Sequence, residues 1–432
     1  PFDGNSTFGS RALEGSCGDR RDDGAGEVVH FRSGPRPGLV CVRIDPDNEG
    51  STDSIYVRKT TCRDGNEVGC TAEPAAGDRK ITVATDPDTD YFVVVDSNSS
   101  GSAYRFCIAP MMDWTDRHER YLLRLISRRA RLYTEMVTTG ALIHGDQERF
   151  LGHADAEHPL GLQLGGSDPA DMARCAVTGQ AAGFDEININ VGCPSDRVQA
   201  GRFGACLMLE PDLVASCFSA MQAEVSIPVT VKCRLGVDEM DQFDDLIRFV
   251  DTVGGAGCTV FIVHARKAWL SGLSPRENRE IPPLQYERVY ALKERYPELT
   301  VVINGGITQM DQAIGHLEKV DGVMVGREAY QNPWSLAEVD EMLFGSLPDR
   351  KSRFDVLDRY KHYMEAQLRK GVPLKRLARH LLGLFQGCPG GRRFRRHLSQ
   401  SRSLQYQVRQ SLPRILHPHH QYLSQQNFFF LY

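Results

Sequence analysis

The sequence predicts an α/β protein built around a (β/α)8 (TIM) barrel, with a small all-β, sandwich-like domain before it and a small basic helical domain after it. Three observations lead there. Between Phe106 and about residue 335, eight apolar runs alternate with segments of helical length. That is the pattern of parallel strands covered by helices, and eight strands over about 235 residues suit a closed barrel. The first hundred residues instead carry short β-type runs between turn clusters, and after Asn332 the strands give way to helical periodicity. A chain of 432 residues, 41% hydrophobic and 25% charged, has the length for two or three such domains.

Residues 1–104 form the all-β domain. Its strands are read from "EVVHF", "GLVCVRI", "SIYVRKT", "KITVAT" and "YFVVVD", separated by Asp, Gly and Ser clusters as in a small sandwich. Cys62 and Cys70 flank "RDGNEVG", whose turn residues can return the chain as a hairpin; a disulfide and two free thiols both fit. On "STDSIYVRKTTCRDGNEVGC" and "DTDYFVVVD" this part resembles the small β domains appended to secreted bacterial proteins. Residues 105–335 form the barrel, with strands in "FCIAPM", "LYTEMV", "LGLQLGG", "EININVGC", "VTVKCRLG", "TVFIVHAR", "TVVINGGI" and "GVMVGREA". Amphipathic segments such as "DMARCAVTGQAAG" and "FDDLIRFVDTVGG" supply covering helices. Residues 336–400 form the helical domain, read from "PWSLAEVDEMLFG", "RFDVLDRYKHYMEAQLRKG" and "PLKRLARHLLGLF", and residues 401–432 form a tail of little periodicity.

The net charge of -5 is unevenly spread. Up to residue 105 about 18 acidic side chains face 12 basic ones, whereas from Arg350 to Arg402 only Asp355, Asp358 and Glu365 oppose 15 Lys and Arg. Such asymmetry points to a polyanion such as nucleic acid, with a solvated helical face as the alternative. No apolar run approaches the roughly 20 residues that span a bilayer, and "PFDGNSTFGS" has neither a basic nor an apolar signal region. A cytoplasmic monomer that does not engage a membrane is expected. The twelve cysteines include no CxxC pair, so no metal site is expected, and "HPHH" at His417–His420 is read as tail.

Barrels of this kind keep their chemistry at the C-terminal ends of the strands. Here those ends carry Pro110, Met111 and Met112, then Gln163, Asn190 with Cys193, Lys232, His264, Asn304 with Gly305 and Gly306, and Gly326 with Arg327. A ring of such residues is hard to explain by packing. "NGGI" and "VGRE" bring glycine backbone and a guanidinium to consecutive strand ends, a combination suited to phosphate. Lys232 delivers an ammonium that can stabilise negative charge on a bound ring. His264 suits a phosphate or a ring carbonyl, or a satisfied core position. Cys193 alone fits a buried apolar residue, a metal ligand, half of a disulfide or a reactive acid.

From about Phe106 to His397 the chain resembles the tRNA-dihydrouridine synthases, most closely the DusA subfamily. The matching motifs are "APMMDWTDRH", "NVGCPSDRVQAGRFGACLM", "VKCRLGVDEMD", "FIVHARKAWLSGLSPRENREIPPL", "INGGI" and "GVMVGREAYQNPW". The resemblance implies an FMN enzyme, driven by NADPH, that reduces the C5=C6 bond of D-loop uridines of the U20/U20a type in tRNA. It implies Cys193 as the proton donor to C5, and an ordinary thiol is still mostly protonated at neutral pH. It implies FMN contacts from Pro110, Met111, Met112, Gln163, Lys232, His264, Asn304, Gly305, Gly306, Gly326 and Arg327. Asn190 would orient the uracil, and Arg276, Arg279, Arg392 and Arg395 would bind tRNA. Two other readings compete: an FMN barrel enzyme acting on a free pyrimidine or dihydroorotate, which needs no basic helical domain, and a non-catalytic secreted fusion, in whose favour the first hundred residues speak.

Overall fold

The computed structural model describes residues 27–32, 38–44, 54–59, 67–71, 79–87, 89–96, 104–346 and 351–400. The chain divides at Ala103/Tyr104 into two units. In the first, β1 (Glu27–Arg32), β2 (Gly38–Ile44), β3 (Ser54–Lys59), β4 (Glu67–Thr71), β5 (Arg79–Thr85) and β6 (Asp90–Asp96) are the strands. They form two antiparallel sheets, one in the order β1-β6-β3-β4 and one pairing β2 with β5, so among this unit's described residues the regular elements are all strands, as expected. Sequence reading leaves Glu67–Thr71 inside a turn, whereas it pairs with β3, Tyr56 opposite Cys70. The Cys62–Cys70 pairing, the "HPHH" run and the tail 401–432 lie outside the described residues.

The second unit holds the barrel. Its strands are β7 (Phe106–Ile108), β8 (Leu132–Tyr133), β9 (Val137–Thr138), β10 (Leu160–Gly165), β11 (Glu186–Val191), β12 (Val229–Arg234), β13 (Val260–His264), β14 (Thr300–Asn304) and β15 (Gly322–Val325). They pair in parallel in the order β7-β15-β14-β13-β12-β11-β10-β8, with β9 continuing the β8 position against β10. Cys107 bridges Arg131 just ahead of β8: Ile108 N–H donates to Arg131 O at 2.8 Å and Arg131 N–H to Phe106 O at 2.9 Å. These bonds close the eight-position ring and leave no open sheet edge.

Alternation along the strands sorts the side chains. Ile187, Ile189 and Val191 of β11, and Val229, Val231 and Cys233 of β12, join the large core between the sheet and its helices. A second, smaller cluster with Cys107, Tyr133, Ile262, Val302 and Met324 fills the barrel interior. Burying one such Ile or Leu stabilises the fold by roughly 1.5–3 kcal/mol, so the two clusters together fix the register. Asp168 caps the helix Pro169–Ala181, which has proline in its first turn, and Asp116 caps Arg117–Ile126 by accepting from the N–H groups of His118 and Glu119.

Beyond β15 the described residues are helical. The expected helix in "PWSLAEVDEMLFG" breaks into a 3-10 turn, Pro333–Leu336, and a short helix, Val339–Phe344. Arg353–Arg369 is continuous and begins in a capping box at Ser352. "PLKRLARHLLGLF" changes from α-helix (Leu374–Ala378) to a 3-10 turn (Arg379–Gly383). There Gly383 approaches the carbonyls of Tyr330 and Gln331 so closely that a Cβ would lie within 2.7 Å of both, and tertiary contact outweighs helical periodicity. Among the described residues no helix is long and apolar enough to cross a membrane, and no cluster of His, Cys, Asp and Glu could hold a metal ion.

Candidate active site

Most of the strand-end residues predicted from the sequence lie at the C-terminal rim of the ring, but Gln163 and Lys232 each stand two residues inside their strands, which run on to Gly165 and Arg234. Pro110, Met111 and Met112 follow β7, and Met112 is exposed. Thr115 ties this turn by accepting from Met111 N–H at 2.9 Å, and Glu135 accepts from Asp113 N–H at 2.5 Å. Gln163 is buried inside β10. Asn190, at the end of β11, uses its side-chain carbonyl to accept from Gly192 N–H (3.1 Å) and Cys193 N–H (3.0 Å). The half-buried Cys193 thiol lies 3.5 Å from Ser195 Oγ. Its carbonyl accepts from Ala205 N–H at 2.9 Å. Gly204, at φ +79°, permits that approach, since a Cβ there would sit 2.5 Å from the Cys193 oxygen.

The neighbouring strands supply positive charge. Lys232 Nζ donates to Asn304 Oδ1 at 3.1 Å, while Asn304 Nδ2 donates to Met324 O at 2.7 Å. Burial, reinforced by Arg234, lowers the Lys232 pKa to about 8. Burial followed by Arg234, Lys232, Arg266 and Arg279 holds His264 well below its ordinary value, so its ring is neutral and can donate one N–H and accept at the other nitrogen. Gly305 and Gly306, at φ +122° and +72°, leave space against the His264 ring and Leu284 that a Cβ would fill.

Arg327 pairs with Glu280 at 2.7 Å, and Arg276 reaches the same carboxylate oxygen at 3.5 Å. Arg276 and Arg279 are exposed on the loop after β13. Arg392 and Arg395 are not on the strand rim but on the last described helix, Gly391–Gln400, where Arg395 donates to Gln386 Oε1 at 2.8 Å.

Two arginines missed in the sequence complete the site. Arg234, buried at the end of β12, donates from Nε to Gly192 O (3.1 Å) and from Nη1 to Asn278 O (3.0 Å). It thereby ties the thiol loop to the cationic strands. Arg266, two residues past His264, donates to Pro282 O, but its buried Nε has no partner. An orphaned guanidinium N–H beside a cluster of like charge suits an anion. Their common signal is position: Arg234 occupies the next inward place after Lys232, and Arg266 lies two residues past the end of its strand. The arrangement can hold a phosphorylated, electron-rich ring and present a thiol to whatever lies against it.

Residues 107–418 match the model of the dihydrouridine synthase family (Dus). A protein of Shewanella oneidensis named tRNA-dihydrouridine(20/20a) synthase is 60% identical over 296 residues, covering 68% of this chain and 88% of the relative. Relatives of the same name from Escherichia coli O6:H1 and Salmonella typhimurium are 58% and 59% identical over 307 and 305 residues; these alignments cover 71% and 70% of this chain and 92% of each relative.

Proposed function

Because the chain belongs to the dihydrouridine synthase family, an oxidoreductase family, we propose that it reduces the C5=C6 bond of uridines 20 and 20a in the D-loop of tRNA, using FMN and NADPH. The observation that carries this reading is the family match over residues 107–418, and the bond from Arg234 Nε to Gly192 O supports it by tying the Cys193 loop to the cationic rim. The relatives' names supply the substrate class.

The residues fit FMN: Lys232, Arg266 and Arg327 offer positive charge, the Arg266 Nε lacks a partner, and Gly305 and Gly306 let backbone approach a phosphate. Pro110, Met111, Met112, Gln163, His264, Asn304 and Gly326 complete the proposed contacts. When bound, the flavin reduced by NADPH supplies hydride for C6 of the uracil. Cys193 holds the proton that C5 takes up, so hydride and proton together saturate the bond. Asn190, fixed by the two backbone donors and by its bond to Gln163, has one amide N–H left to present to the edge of an extruded base. Arg276, Arg279, Arg392 and Arg395 meet tRNA phosphates. In domain terms, residues 105–335 carry out the chemistry and residues 336–400 bind tRNA, in a cytoplasmic monomer.

Cys193→Ala separates binding from chemistry. The variant is expected to keep its flavin absorption while dihydrouridine formation, read by mass spectrometry of digested tRNA, falls roughly 10²- to 10⁴-fold. An unimpaired rate would remove Cys193 from the proton step.

A further inference from the structure

A chain of buried polar side chains runs through the barrel interior from the N-terminal end to the thiol loop. Asn190 Nδ2 donates to Gln163 Oε1 at 2.7 Å, and Gln163 Nε2 donates to Asn188 Oδ1 at 2.8 Å. Asn188 Nδ2 donates to Thr230 Oγ1 at 2.8 Å, and the Thr230 hydroxyl donates to Glu186 Oε1 at 2.5 Å. Glu186 also accepts from Arg131 Nη1 (3.2 Å) and Tyr133 Oη (2.9 Å). The register explains the contacts: Gln163 lies opposite Asn188, and Asn188 opposite Thr230, all facing inward.

Asparagine and glutamine amides can be turned over, so a row of them has no intrinsic direction. Here both ends impose the same one. At the top, two backbone N–H groups require the Asn190 oxygen. At the bottom, a carboxylate surrounded by donors accepts and does not give, so the Thr230 proton points down and its lone pair takes the Asn188 amide. Every link then donates towards Glu186. Packing alone accounts for none of these polar groups in an interior otherwise filled by Ile262, Val302 and Met324.

We propose that Glu186, Asn188 and Thr230 are positioning residues for the reduction: anchored on Arg131, they fix the orientation of Gln163 and Asn190 and so the placement of the Cys193 loop. This rests on the proposed reaction for its catalytic consequence, though not for the effect on the loop. Loss of the Thr230 link is expected to act through its neighbours, because the row is then held at the Asn190 end alone and Asn188 Nδ2 loses its acceptor.

The test compares Thr230→Val, which keeps shape and loses the hydroxyl, with Thr230→Ser, which keeps the hydroxyl. Thr230→Ala serves as a second breaking variant if the valine protein does not fold. Two quantities are read on the full chain: the rate of Cys193 alkylation by iodoacetamide, followed on its own peptide, and the single-turnover rate on tRNA with tRNA affinity measured separately. The breaking variants are expected to alkylate about threefold faster or more, and to reduce uridine about tenfold more slowly at unchanged affinity. The serine variant should stay within about twofold of wild type in both. Breaking variants that match wild type in both readouts, or a serine variant as impaired as valine, overturn the proposal. Altered alkylation in a protein whose wild type reduces no uridine would sustain the positioning role and sink the reaction.

Discussion

Lys232 is the side chain whose charge state bears most directly on the site. Burial and Arg234 bring its pKa to about 8, so the ammonium is held below that value and lost above it. Flavin affinity, measured by fluorescence titration, is therefore expected to weaken as pH rises from 7 to 9, and Lys232→Ala to weaken it about tenfold at pH 7 and to flatten the dependence. Equal affinity across that range in both proteins would contradict the role. Lys232 was legible in the sequence because it interrupts an apolar run, and Cys193 because it follows Asn190 at a strand end. Thr230, Asn188 and Glu186 were not singled out, since "VTVKCR" and "EININV" were read as continuous apolar strands. Their polar residues at every second position mark an inward face, and that alternation was the available signal.

Between elements, one polar contact of the C-terminal helices with the barrel is at Asp116. This carboxylate caps Arg117–Ile126 and also receives Arg379 at 2.8 Å and His380 Nε2 at 3.0 Å, while His380 Nδ1 lies 2.9 Å from Glu119. Burial opposes charge on His380, but the two carboxylates outweigh it and raise its pKa to about 9; burial pushes Glu119 up to about 7. Both groups bind protons more tightly folded than unfolded. The Glu119 contribution is thus lost between about pH 4.5 and 7, and the imidazolium contribution, complete below about 6.5, is lost as pH rises through about 9. Thermal melting of the full chain should show a falling midpoint from pH 6.5 to 9, and His380→Gln should remove that slope. A midpoint of the variant that still falls in parallel with wild type would assign the slope elsewhere. Sequence periodicity located these helices but not their 3-10 breaks, of which that at Arg379–Gly383 is set by Gly383 against the backbone of Tyr330 and Gln331.

For the whole molecule, the eight-strand barrel was legible because parallel strands buried on both faces stand out between amphipathic helices. Its closure through Cys107 and Arg131 was not, because the bond involves a residue outside any apolar run. Basic charge is concentrated between Arg350 and Arg402, which a free pyrimidine would not need and a tRNA would. The most direct measurement is to incubate the protein with NADPH, FMN and tRNA lacking dihydrouridine, beside free uridine, and to map the reduced positions by mass spectrometry. The account predicts dihydrouridine at positions 20 and 20a, no reduction of free uridine, and roughly tenfold weaker tRNA binding for Arg392→Ala with Arg395→Ala. Reduction of the free base with none in tRNA would contradict it.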